Sequence, residues 1–236
     1  MTGARGTADL VEAAVHVFGV PRRSIPRAML HVGRDGRALA STPGLAFGRI
    51  LGTGDGRSFT VRGTDLRHWA LVTSWRDAEA ARAFEQSPVV RGWGAMSEER
   101  LLVRLRPLTS RGRWSGREPF GDPTPYPVTG AVASITRARI APRSMVRFWR
   151  AVPAVARDLA AVDGVRLAIG IGEAPVGFQG TFSIWATSAA VSEFAHHRSP
   201  HQVAVRRSDT EHWYAEELFA RFEVLAVEGT YAGRTP

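Results

Sequence analysis

Four of the seven histidines lie in one stretch near the end of the chain, His196, His197, His201 and His212. They follow the aromatic segment Thr181-Phe182-Ser183-Ile184-Trp185 and precede the run Trp213 to Phe222. Imidazole can bind a transition metal and can exchange a proton near neutral pH, so this is where metal or acid–base chemistry is concentrated. The composition removes most other chemistries. There is no cysteine, and all 31 basic residues are arginine, so there is no lysine either. Without a thiol there is no disulfide, no thiolate nucleophile, no iron–sulfur cluster and no thiolate-ligated haem. Without lysine there is no Schiff base to pyridoxal phosphate and no phosphate-binding P-loop. His, Asp/Glu, Ser/Thr/Tyr or a bound cofactor remain.

Spacing restricts the histidines further. Ser199 is a favoured helix N-cap and Pro200 suits the first helical position, so a new helix begins there. No continuous helix then carries His197 and His201 on one face, which argues against a structural zinc site. The pairs Gly52/Gly54 and Gly170/Gly172 do not continue as G-x-G-x-x-G into a helix and read as strand bulges or close packing. Glu173 and Glu217 have no second carboxylate at a telling spacing and read as solvated surface.

The elements that would position these residues occur twice. Trp75 and Phe84 precede Trp185 and Phe194 by 110 residues, and Ser87-Pro88 precedes Ser199-Pro200 by 112. Glu98-Glu99 leads into Arg104-Leu105 as Glu216-Glu217 leads into Arg221-Phe222. Several matches in one order indicate duplication. Each copy reads strand, helix, strand, strand, helix, strand. In the second, the apolar residues from Met145 to Leu159 keep a 3.6-residue spacing, with a kink at Pro153, and strands run over 131–137, 165–172 and 179–185. The predicted fold is α+β: two tandem ferredoxin-like units packed sheet to sheet as an intrachain dimeric α/β barrel, comprising 1–108, a Gly/Pro/Arg-rich linker over 109–127, and 128–236.

With 44% apolar and 22% charged residues the chain is globular. No apolar run reaches the length of a membrane span, and residues 1–10 lack the apolar core of a signal peptide, so the expectation is a cytoplasmic protein. The net charge of +9 is scattered, with only Arg22-Arg23 and Arg206-Arg207 adjacent, which argues against nucleic acid as partner. A weak pull toward anionic membrane surfaces is consistent with it.

Thr109 to Gly116 with Pro119-Phe120, Phe148-Trp149, Ile169 to Glu173, Phe182 to Trp185, Phe194, Pro200-His201 and Glu216 to Phe222 together resemble the spheroidene monooxygenase family of purple bacteria. The resemblance runs from about Trp69 to Gly233. It implies a haem b enzyme that uses dioxygen and electrons from a donor such as ferredoxin to oxygenate a small apolar polyene or secondary metabolite. It also implies a histidine ligand to the iron after the third strand of the unit: His201, with His197 and His196 as substitutes. The first copy has Val89 where His201 lies, so only the second unit should bind the cofactor. Arg113 is the candidate propionate clamp, against the alternative that it stacks on Trp114 to fasten the linker. Phe182 and Trp185 are candidate pocket residues among aromatic side chains most of which belong to the core. Two alternatives stay open: a haem-dependent dehydratase, lyase or oxidase acting on a nitrogen-containing metabolite in the manner of aldoxime dehydratases, and a haem-free barrel protein.

Overall fold

The computed structural model describes residues 12–54, 63–144, 162–173, 178–197 and 214–236. The first half comprises β1 (Glu12–Gly19), α1 (Ile25–Ala40), β2 (Leu45–Gly54), β3 (Thr64–Trp75), α2 (Ala78–Phe84), α3 (Pro88–Ala95) and β4 (Glu99–Gly112). The second comprises β5 (Val132–Ile140), β6 (Val165–Gly172), β7 (Phe178–Trp185), α4 (Ser188–His197) and β8 (Tyr214–Gly229). The eight strands close into a barrel in the order β1-β3-β2-β6-β7-β5-β8-β4, with every pairing antiparallel. Each half therefore contributes the same local order, β4-β1-β3-β2 and β8-β5-β7-β6. This is the tandem ferredoxin-like barrel expected from the repeats, with the two sheets also joined edge to edge, which leaves no free strand edge.

The register shows how the halves are related. Gly52 pairs with Gly172 across the β2–β6 seam, and each is the other's counterpart in the repeat. Across the other seam Leu101 pairs with Gly229, and Gly112 with Leu218. These pairs exchange under an approximate twofold operation, so corresponding residues of the halves can be read from the ladders. β4 and β8 correspond with an offset of 117 residues, and β1 and β5 with one of 120.

Strand alternation sorts side chains between two cores. Val15, Val72, Val103, Ile135, Phe182 and Ala220 face the barrel interior, whereas Phe18, Trp69, Trp75, Trp93 and Phe84 fill the layer between the first sheet and its helices. The expected linker is tied to the barrel more closely than its composition suggested. Its first residues, Thr109 to Gly112, are still strand, paired with Arg221 to Leu218. Beyond them Trp114 and Phe120 are buried in the interior, Phe120 edge-on to Phe222 at 4.8 Å. Ser74 Oγ donates to the Pro119 carbonyl at 2.5 Å.

The repeated pairs share one local design. Trp75 packs on Phe84 at 5.0 Å and donates its indole N–H to Thr73 Oγ1 at 3.0 Å; Trp185 packs on Phe194 at 5.4 Å and donates to Ser183 Oγ at 2.9 Å. Ser87 caps α3, its Oγ accepting from Val90 N at 3.3 Å, with Pro88 first in the helix. The corresponding Ser199-Pro200 step and the helix expected over 145–159 lie outside the described residues. No helix among the described residues is long and apolar enough to cross a membrane.

Candidate functional site

On the helix-facing surface, five positions in the central rows differ between the two sheets. In the first unit His16 pairs with Leu71 and Phe18 with Trp69, and Ile50 lies beside Leu71. The same rows of the second unit read Thr136 with Thr181, Ala138 with Gln179, and Gly170 beside Thr181. All five replacements are smaller. In the first unit this space is closed by Trp93 of α3, which lies 5.6 Å from Phe18, 6.0 Å from Trp69 and 5.7 Å from His31. A buried indole and phenyl ring each occupy 150–250 Å² of contact surface. The second sheet carries smaller side chains at these five positions, bordered by Phe219 where the first unit has Leu102.

The repeat also indicates what faces that area. Ser87-Pro88-Val89 corresponds to Ser199-Pro200-His201, and Val89 is buried against the aromatic layer of the first unit. The position that His201 holds in the repeat thus points, in the first copy, into the sheet–helix layer. His201 itself lies outside the described residues. His196 and His197 end α4, and their side chains lie outside the described residues as well.

The remaining predicted site residues are not brought together. Phe182 and Trp185 are three apart on one strand, so alternation sends Phe182 into the barrel interior and Trp185 to the helix layer beside Val191. They cannot line one pocket. Arg113 is 63% exposed, and its guanidinium partner among the described residues is Glu118, at 3.5 Å. The arginine over Trp114 is Arg137, its guanidinium carbon 5.7 Å from the ring centre. Arg137 is buried and binds Glu173 at 3.0 Å and, more closely, Glu216. Glu173 is accordingly no surface group: it also accepts from Trp114 Nε1 at 2.7 Å and from Arg49 at 3.2 Å. Leu51, Trp114, Arg137, Ile171, Gly172 and Glu173 line a small cleft at this end of the barrel, where two arginines face two carboxylates. The charges balance, which suits a latch between the halves rather than a ligand site.

Glu216 has a second task. It accepts from the backbone N–H groups of Ser115 (2.9 Å) and Gly116 (2.7 Å), the two positive-φ residues of the turn that Trp114 and Arg117 close. Burial works against its ionised form, but these two N–H groups and Arg137 outweigh burial and hold its carboxyl below the ordinary value. The first unit repeats the device with Glu99, which accepts from Ala232 N, Gly233 N and Thr230 Oγ1 at 2.7–3.0 Å. Burial is again outweighed by the Gly233 N–H, the Thr230 hydroxyl and His68, and Glu99 falls to about 2. His68 also bridges Asp65 at 2.5 Å and Glu99 at 3.1 Å. The sequence contained the signal for this pair of turns: Gly112-Arg113-Trp114-Ser115-Gly116-Arg117 returns as Gly229-Thr230-Tyr231-Ala232-Gly233-Arg234.

Among the described residues no three His, Cys, Asp or Glu side chains form a metal-binding group. The architecture is that of a dimeric α/β barrel folded from one chain. Among solved structures it is similar to an aldoxime dehydratase crystallised with butyraldoxime, with a TM-score of 0.59 at 11% identity over 94% of this chain and 82% of the other. A second aldoxime dehydratase gives 0.57 at 11% identity over 91% and 81%. These likenesses concern the fold. No family-wide sequence profile matches. Individual relatives do: spheroidene monooxygenase of Rhodobacter capsulatus is 34% identical over 90% of this chain and 89% of its own, and that of Rubrivivax gelatinosus 36% over 84% and 78%. The Cereibacter sphaeroides protein of that name is 34% identical over 82% of this chain, which spans 60% of its length. The chain belongs to the spheroidene monooxygenase family, and with it to the monooxygenases among oxidoreductases.

Proposed function

We propose that this chain is a haem-dependent monooxygenase whose cofactor lies between sheet and helices of the second unit, with residues 128–236 carrying the site and 1–108 serving as its structural partner. One observation carries the reading. The rows that hold His16, Leu71, Phe18, Trp69 and Ile50 in the first unit hold Thr136, Thr181, Ala138, Gln179 and Gly170 in the second. The smaller side chains at these positions support placing a large flat ligand on the second sheet rather than on the first. The donor set fits haem as well: the chain has no thiolate, and iron in a porphyrin needs one axial side chain rather than a cluster.

His201 would be that ligand, since its counterpart Val89 is buried in the corresponding layer. His197 and His196 are the substitutes. When bound, haem supplies activation of dioxygen at iron, drawing electrons from an external donor such as ferredoxin. The protein contributes the rest. Its barrel interior, packed with Trp114, Phe120 and Phe222, gives the sheet that carries the site a close-packed backing. Thr136 and Thr181 bring hydroxyls to the opposite face of the same strands, where they can orient a polar atom or hold a proton. The substrate is an apolar polyene or a related secondary metabolite. One oxygen atom enters it and the other leaves as water, with two electrons from the donor and two protons.

Purified protein loaded with haem should show a Soret band that His201→Ala shifts and weakens, while His212→Ala leaves it unchanged. An unchanged spectrum in His201→Ala moves the ligand to His197 or His196. Turnover should require both dioxygen and continuing reductant. Product formed anaerobically from pre-reduced protein would reject the oxygenase reading in favour of dehydratase chemistry.

A further inference from the structure

The twofold relation between the halves isolates an unusual arginine. Arg104 of β4 and Arg221 of β8 are counterparts, and both stand on the helix side of their sheets, paired in register with Ala14 and Ser134. Arg104 is enclosed by carboxylates. Its Nε and Nη2 donate to Glu85 at 2.7 and 2.8 Å and its Nη1 to Glu228 at 2.5 Å. Neither carboxylate has a counterpart around Arg221. Phe84 and Phe194 stack on corresponding tryptophans, so the residue after each stands in the same place: Glu85 in the first unit and Ala195 in the second. The counterpart of Glu228 in the β4–β8 ladder is Arg111.

Arg221 is half-buried, and its polar contact among the described residues is Ser192 Oγ, at 3.4 Å. Burial pulls its guanidinium pKa down, with no carboxylate among the described residues to offset it. A half-buried cation without a nearby counterion is partly desolvated without compensation, and the first unit shows that this fold can supply two carboxylates at the corresponding place. Arg111 adds a second positive charge, its guanidinium held over the Phe219 ring at 5.3 Å. Phe219 pairs with Thr136 and Arg221 with Ser134, so both arginines lie at the edge of the rows that carry the smaller side chains.

We infer that Arg221, with Arg111 beside it, is a carboxylate-binding site at the edge of the second unit's sheet–helix layer, and that its ligand is a propionate of the haem. The ligand's identity rests on the haem reading above; the missing counterions do not. Arg113, the earlier candidate for this task, is exposed and already paired with Glu118.

The test compares haem with its dimethyl ester, which lacks the propionate charges, by Soret titration of the full chain. Wild type should bind haem more tightly than the ester. Arg221→Gln should weaken haem by about 10- to 100-fold, the range of one charge-assisted hydrogen bond, and leave ester affinity unchanged. Ala195→Glu, which recreates the first-unit partner, should weaken haem selectively in the same way while keeping Arg221 folded in place. Equal loss for haem and ester in both variants, or no loss in either, overturns the site. Wild type that binds haem and ester equally overturns it while leaving the haem reading intact, and wild type that binds neither overturns both.

Discussion

Two histidines of the first unit, one buried and one partly buried, titrate in opposite senses because their surroundings differ. His16 Nε2 has no hydrogen-bond partner among the described residues, and burial lowers the pKa of His16 from 6.5 to about 4. Its neutral form belongs to the fold, so the stability it protects is complete above pH 6.5 and is lost as pH falls toward 4, up to about 3 kcal/mol. His68 is also desolvated, yet Asp65 and Glu99 outweigh this and raise its pKa. Its contribution is complete below pH 6.5 and is lost as pH rises through the raised value. Chemical denaturation across pH should show His16→Leu losing less stability than wild type between pH 7 and 5, and His68→Gln falling furthest behind wild type on the acid side. The opposite pattern in either variant would contradict these assignments. Neither environment was legible in the sequence, since a lone His gives no sign of whether a carboxylate 31 residues away, Glu99, will reach it. Glu173 failed for the same reason: its partners Arg49 and Trp114 are distant in sequence.

The elements were legible wherever local spacing specified them. The Trp–Phe pairs 110 residues apart and the Ser–Pro helix start emerged as one packing device repeated and one cap. The linker was misjudged because composition alone cannot show that Thr109 to Gly112 extend a strand. Gly112 and Gly229 end their strands at φ of 93° and 87°, and a Cβ at either would collide with a backbone carbonyl, that of Glu217 or Arg100. Gly112→Ala and Gly229→Ala should each destabilise the protein by more than about 1 kcal/mol. Gly116→Asn, at φ of 72° with open space around it, should cost much less. Thermal melts of the three variants check the order, and equal losses would mean that the collision is relieved by local shifts.

At the scale of the whole molecule, duplication built a closed barrel from one sequence unit, and the halves then diverged on the helix side of their sheets. The order of repeats in the sequence sufficed to find the barrel. It did not reveal the divergence, because residue correspondence depends on strand register, which only the ladders supply. With both halves in one chain the sheet edges are satisfied, so any further oligomer must use another surface. The first unit keeps its space filled with Phe18, Trp69 and Trp93, and the second has Ala138, Gln179 and Val205 at the positions matching them in the ladders and in the Ser–Pro repeat. The most direct test of this division is the haem-to-protein ratio, read from the Soret absorbance on titration, in wild type and in the variant carrying Ala138→Phe and Gln179→Trp. The account predicts one haem per chain in wild type and none in the refilled variant, with its fold retained by circular dichroism. Two haems per wild-type chain, or full uptake by the refilled variant, would contradict it.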